Sequence, residues 1–148
     1  MGIHISQLPK EVKDRLGLKD PKFKQFWAEI GGKRIFFRSS WEYYYAIFLQ
    51  KLKLESKIID WKHEPKTFWF EEIKRGVRSY LPDFCVTHLD GSEEWSEVKG
   101  YYDSKSQTKM KRMAKYYPSV KIRLVGADWF KVNLKSCIAI EPNVLRSN

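Results

Sequence analysis

The sequence predicts an α/β (α+β) domain with an αβββαβ core: a mixed central sheet flanked by helices, with short N- and C-terminal additions. Three observations predict it. A capped apolar helix precedes several β-prone runs, an Asp-Gly pair joins two of those runs as a hairpin, and a basic helix leads into one more β-prone segment, as in a parallel crossover. A length of 148 residues suits one domain, and 6 Trp, 8 Tyr and 9 Phe supply the apolar surface of a true core, which excludes a disordered chain. The domain is expected to comprise an N-terminal helix and basic arm over 1–38, a core over 39–125 and an extension over 126–148.

In chain order, residues 7–17 (QLPKEVKDRLG) place Leu8, Val12 and Leu16 on one helical face, with Pro9 in the first turn and Gly17 at the end. The arm that follows mixes Lys with aromatics around Gly31-Gly32 and leads to a small hairpin or short strand at 33–37. Ser39-Ser40-Trp41-Glu42 has the form of a capping box, and Tyr45, Ile47, Phe48, Leu49 and Leu52 continue it as a buried helix over 39–54. Three β-prone runs, 57–62, 67–73 and 77–88, then read as an antiparallel meander punctuated by Pro65 and Arg75-Gly76. Asp90-Gly91 turns the third run into a strand over 94–99 that stops at Gly100. From an expected N-cap at Ser104, Met110, Met113, Ala114 and Tyr117 form the core stripe of a helix ended by Pro118. A strand at 120–125 pairs parallel with 94–99, and residues 127–148 are expected to add one more strand or turn and a short tail.

The chain carries 28 Lys and Arg against 18 Asp and Glu, a formal charge of +10, so its surface attracts polyanions. No apolar run approaches the ~18 residues of a membrane span, and the first residues lack the apolar stretch of a signal peptide, so the expectation is an intracellular protein. Cys85 and Cys137 read as free thiols, since no spacing makes them a zinc site or a disulfide framework. His4, His63 and His88 show no ligand spacing either.

The chemistry is concentrated in Leu81-Pro82-Asp83-Phe84 and, beyond the hairpin turn, Glu97-Val98-Lys99-Gly100. Residues i and i+2 of a strand share a face, so Glu97 and Lys99 point together, and a neighbouring strand brings Asp83 to within about 5 Å. Two carboxylates and a strand carbonyl, that of Val98, suit Mg²⁺, with Mn²⁺ as a substitute. Mg²⁺ takes one or two protein carboxylates and keeps several waters. Phosphodiester hydrolysis needs an activated water and neutralised phosphate charge, and Lys99 fits it either as a proton acceptor or as a cation holding water and phosphate oxygen.

The sequence P-D-F, a hairpin, then E-V-K-G resembles the PD-(D/E)xK nuclease superfamily, with its restriction-endonuclease-like fold. The order of elements over 39–125 is similar to its core, and R-S-S-W-E, H-E-P and P-D-F…E-V-K-G look closest to small phage-encoded members, Holliday-junction resolving endonucleases among them, and to transposon-end and very-short-patch-repair nucleases. The resemblance implies that Asp83 and Glu97 bind metal, that Lys99 is catalytic and that Glu42 is a helix-borne acid of the site. It also implies a phage or mobile-element origin and hence the cytoplasm of a bacterial host. The first 35 and last 20 residues match nothing in that pattern.

Competing readings attach to several residues. Glu42 is already explained as the return half of the capping box. Glu64 reads first as a surface turn carboxylate, with support of the metal site as the alternative, and Glu93 and Glu94 as hairpin solvation. Met110 and Met113 read as core. Lys105, Lys109 and Arg112 stand between a solvated face and phosphate contact, joined as DNA-binding candidates by Lys33 and Arg38 of the arm. Tyr101 and Tyr102 are equally well explained by burial and by base stacking. The expected function is a Mg²⁺-dependent DNA endonuclease, structure-selective because so small a chain leaves little for base reading. A resolvase acting on two strands would be a symmetric homodimer. The alternatives are a sequence-specific nicking or homing-type endonuclease and, in another class, a catalytically inactive nucleic-acid-binding module.

Overall fold

The computed structural model describes residues 25–147. In chain order the elements are β1 (Phe26–Ile30), β2 (Lys33–Phe37), α1 (Ser40–Leu54), β3 (Asp60–His63), β4 (Phe68–Trp69), β5 (Ser79–Tyr80), β6 (Phe84–Thr87), β7 (Glu93–Val98), α2 (Ser104–Tyr116), β8 (Ile122–Val125) and α3 (Ala127–Arg146). This is an α+β fold. The chain divides into two compact units, one formed up to Ser56 and from Gly126 onward, the other by Lys57–Val125. The helix expected over 7–17 lies outside the described residues. No described helix is long and apolar enough to cross a membrane.

The first unit contains the β1–β2 hairpin, α1 and α3. Gly31 and Gly32 have φ of +59° and +78°, as a two-residue turn of the mirror-image type requires, and a Cβ on Gly31 would stand 2.8 Å from the Gln50 amide. Helix α1 starts as the sequence predicts: Ser39 Oγ accepts the Glu42 amide at 3.1 Å. Tyr43, Tyr44, Tyr45, Ile47 and Leu49 are all buried. Trp41 stacks on Phe130 at 4.4 Å, and Tyr45 and Phe48 meet the Trp129 ring edge-on, which joins α1 to α3. Helix α3 corrects the expectation of a strand or turn with a tail. Pro142 and the β-branched residues around Ile138 and Ile140 hid a helical repeat whose buried members are Phe130, Leu134, Cys137, Glu141 and Val144.

The second unit holds a four-stranded sheet of order β3-β6-β7-β8, antiparallel except for the parallel β7–β8 pair joined through α2. A separate two-stranded ribbon pairs β4 with β5. The expected meander therefore needs correction, because 77–88 is two strands: Leu81-Pro82 interrupts it, sending Ser79–Tyr80 to β4 and Phe84–Thr87 to the main sheet. The Asp90-Gly91 turn forms as predicted, with Gly91 at φ +85° and the Asp90 carboxylate accepting from Ser92. A core of Phe68, Phe70, Tyr80, Cys85, Trp95 and Met113, with Met110 packed against it, places α2 and the ribbon on the sheet face that bears Cys85 and Trp95. The N-cap of α2 is Asp103 rather than the expected Ser104: its Oδ1 accepts the Ser106 amide at 2.8 Å.

Candidate active site

The site grows from the point where the β6–β7 ladder ends. Its register runs Cys85↔Trp95 and Phe84↔Ser96. One residue further sets Asp83 directly opposite Glu97, and directly opposed residues share a sheet face. That face carries Cys85 and Trp95 in the core and, at its end, Asp83, Glu97 and then Lys99.

Backbone alternation explains why Pro82 precedes Asp83. Trp95 N–H donates to the Lys121 carbonyl and Lys99 N–H to the Val125 carbonyl, so odd-numbered residues of β7 bond towards β8. The N–H and carbonyl of Val98 therefore face β6, where the opposite residue is Pro82, which has no N–H to give. The missing N–H leaves the Val98 carbonyl without its ladder donor, while the Val98 N–H donates to the Asp83 carboxylate, 2.7 Å from Oδ2, with Asp83 only 9% exposed. On its other side the Asp83 carbonyl accepts the Glu64 N–H at 2.8 Å. Glu64 makes this bond from the left-handed region, at φ +46°, so it is a shaped half-buried turn residue and not simply a surface carboxylate.

Glu97 is held from a third strand. The Tyr80 hydroxyl of β5 donates to Glu97 Oε2 at 2.8 Å. Burial, first, and then the Glu97 charge, its hydrogen bond and the Asp83 charge push the Tyr80 phenol far above its ordinary range, so it stays a neutral donor. Both carboxylates thus act on one buried hydroxyl. Sequence reasoning missed Tyr80; the signal available was a phenol at a strand end just before the Pro-Asp pair.

Lys99 is half-buried at the end of β7. Two hydrogen bonds from Ser106 hold the Asp103 carboxyl below its usual range, and the Lys99 and Lys109 charges pull in the same direction, so both cations lie near the first turn of α2. The oxygen donors that could hold a cation are the two carboxylates and the Val98 carbonyl, a hard set without nitrogen or sulfur, which fits Mg²⁺ or Mn²⁺ with water completing the sphere. Among the described residues no group of three or more His, Cys, Asp or Glu side chains is placed to hold a metal ion.

The other candidates are placed as follows. Glu42, 6% exposed, belongs to the first unit, where its Oε2 accepts the Arg38 N–H at 3.1 Å, one residue earlier than a standard capping box. Lys33 and Arg38 are exposed in the same unit. Lys105 is exposed on α2 and Lys109 half-buried, whereas Arg112 donates through Nη1 to the Val77 carbonyl and so ties α2 to the segment before β5. Tyr101 and Tyr102 are exposed.

Residues 23–132, most of the chain, match the profile of a family described as a protein of unknown function (DUF1064). No curated protein matches the sequence.

Proposed function

We propose that this chain, which belongs to the DUF1064 family, is a metal-dependent DNA endonuclease that hydrolyses phosphodiester bonds, selecting its substrate by structure. The observation that carries the reading is the opposed pair Asp83 and Glu97 beside a carbonyl that Pro82 does not engage, with Lys99 two residues beyond Glu97 on the same face. That arrangement agrees with the resemblance of P-D-F…E-V-K-G to the PD-(D/E)xK superfamily. The net charge of +10 and the cation-rich α2 suit a polyanionic substrate.

Asp83, Glu97 and the Val98 carbonyl would hold Mg²⁺, which when bound supplies positive charge to the phosphate and acidifies a water. The chain's own groups do the remainder. Val98 N–H and Tyr80 OH each fix one oxygen of a carboxylate, and the Glu64 amide fixes the Asp83 backbone. Lys99 brings its ammonium to a phosphate oxygen, offsetting charge that grows as the water oxygen bonds to phosphorus and the ester P–O bond breaks. The water loses a proton and the departing sugar oxygen gains one. Cutting both strands of a branched duplex takes two such sites, so the cutting species is a symmetric homodimer in the cytoplasm of a bacterial host.

The test is incubation of labelled four-way junction, nicked duplex, linear duplex and single strand with Mg²⁺ or EDTA. The reading expects Mg²⁺-dependent cutting, strongest on branched DNA. Cutting at one position of linear duplex would favour a sequence-specific nickase, and binding without cutting of any substrate would favour an inactive binding module.

A further inference from the structure

The segment 100–103 joins the strand that bears Glu97 to helix α2. It carries Tyr101, 77% exposed, and Tyr102, 39% exposed, whereas Tyr43, Tyr44, Tyr45 and Tyr80 are at most 2% exposed. Burial, the alternative left open by the sequence, does not account for the pair. Two adjacent aromatic rings in water offer apolar faces that a ligand can cover.

The location says which ligand. Tyr101 and Tyr102 follow Lys99 by two and three residues, in the segment that leads from the end of β7, which bears Glu97, into α2. The Lys99 and Lys109 charges meet at Asp103, the next residue. Aromatic faces bordered by cations beside a phosphate-cleaving centre match the alternation of base and phosphate in a nucleic-acid strand. A base within a continuous duplex has both faces stacked and offers none to a side chain. An unpaired base at a gap, end or branch does.

Resting on the nuclease reading of the acid pair, we propose that Tyr101 and Tyr102 form a stacking subsite for a nucleobase unstacked next to the scissile phosphate, and that this subsite makes the enzyme select interrupted or branched DNA. Full-length Asp83→Asn, whose cutting is expected to fall at least about a hundredfold, is titrated by fluorescence anisotropy against a gapped and a continuous duplex of one sequence in Mg²⁺, with and without Tyr101→Ala/Tyr102→Ala or the corresponding Phe pair, and cutting is followed with the same pairs in the wild-type background. The Ala pair weakens binding to gapped DNA about tenfold, leaves continuous duplex unaffected and does not alter the salt slope, while the Phe pair binds as the parent does. Equal loss on both DNAs, no loss on either, or conversion of a dimer to a monomer with DNA affinity unchanged overturns the subsite, the last by making the tyrosines a self-interface. Wild type that neither binds nor cuts DNA removes the nuclease reading as well. Cutting that is indifferent to the tyrosines removes only the subsite.

Discussion

Replacing Asp83 separates its structural work from its chemistry. Its Oδ2 accepts the Val98 N–H at 2.7 Å, and both residues are under a tenth exposed. In Asp83→Ala that amide is left without its carboxylate acceptor. A bond to a charged acceptor contributes about 1.5–3 kcal/mol, and Asp83→Asn keeps an oxygen in place and gives up only the charged share, about 1 kcal/mol. Both variants relieve the same repulsion from Glu97, so the difference between them isolates the acceptor. At about 2–4 °C per kcal/mol for a chain near this size, Ala should melt about 5 °C below wild type or lower and Asn about 3 °C below. Cleavage should fall in both by at least about a hundredfold, the upper end of the loss when an outer supporting group of a metal site is removed. Thermal scans, single-turnover cutting and hydrogen exchange at Val98 measure the three quantities. Ala and Asn melting together, with Val98 exchange unchanged in Ala, would refute the argument.

Tyr80→Phe keeps the ring in its core and removes only the donor to Glu97; single-turnover cutting should slow about tenfold, the worth of one such bond, and an unchanged rate would mean Glu97 needs no such anchor. Asp103→Ala should fray the start of α2. Because the folded Asp103 carboxyl lies below its unfolded value, the stabilisation it adds is complete above about pH 4 and disappears as pH falls through the depressed value, so wild type and variant should differ in melting temperature at neutral pH and converge in acid. Burial pushes both thiols up to about 12, that of Cys85 with help from Glu93, so neither should react with Ellman's reagent at pH 8 until the chain unfolds, and stability should decline as pH rises above about 8.5 towards that value. A thiol that titrates in the folded protein would contradict this.

Local chemistry was readable in the sequence wherever it decided the outcome. Ser39 and Glu42 set the start of α1, Gly31-Gly32 and Asp90-Gly91 set their turns, and alternation put Glu97 and Lys99 on one face. Errors arose where a local signal was ambiguous or distant. Ser104 and Asp103 are both good caps, and the backbone conformation at Asp103 decides between them. The expected single run over 77–88 passes through Pro82, whose missing N–H breaks the ladder there and splits the run into two strands. Pro142 outweighed the helical spacing of Phe130, Leu134 and Cys137. Tyr80 reaches Glu97 across 17 residues of sequence, through a ribbon whose pairing no local pattern announces. Arg112, which the sequence leaves between a solvated face and phosphate contact, also donates to the Val77 carbonyl, a partner 35 residues away that no local pattern announces.

The most direct test of the account is single-turnover cleavage of a labelled four-way junction in Mg²⁺ by wild type, Asp83→Asn, Glu97→Gln and Lys99→Ala, with Mn²⁺ binding to each followed by titration calorimetry. The account predicts cutting by wild type alone, metal binding lost in the Asp83 and Glu97 variants, and metal binding retained in Lys99→Ala. Cutting that survives Asp83→Asn and Glu97→Gln, or metal bound equally by all four proteins, would contradict it.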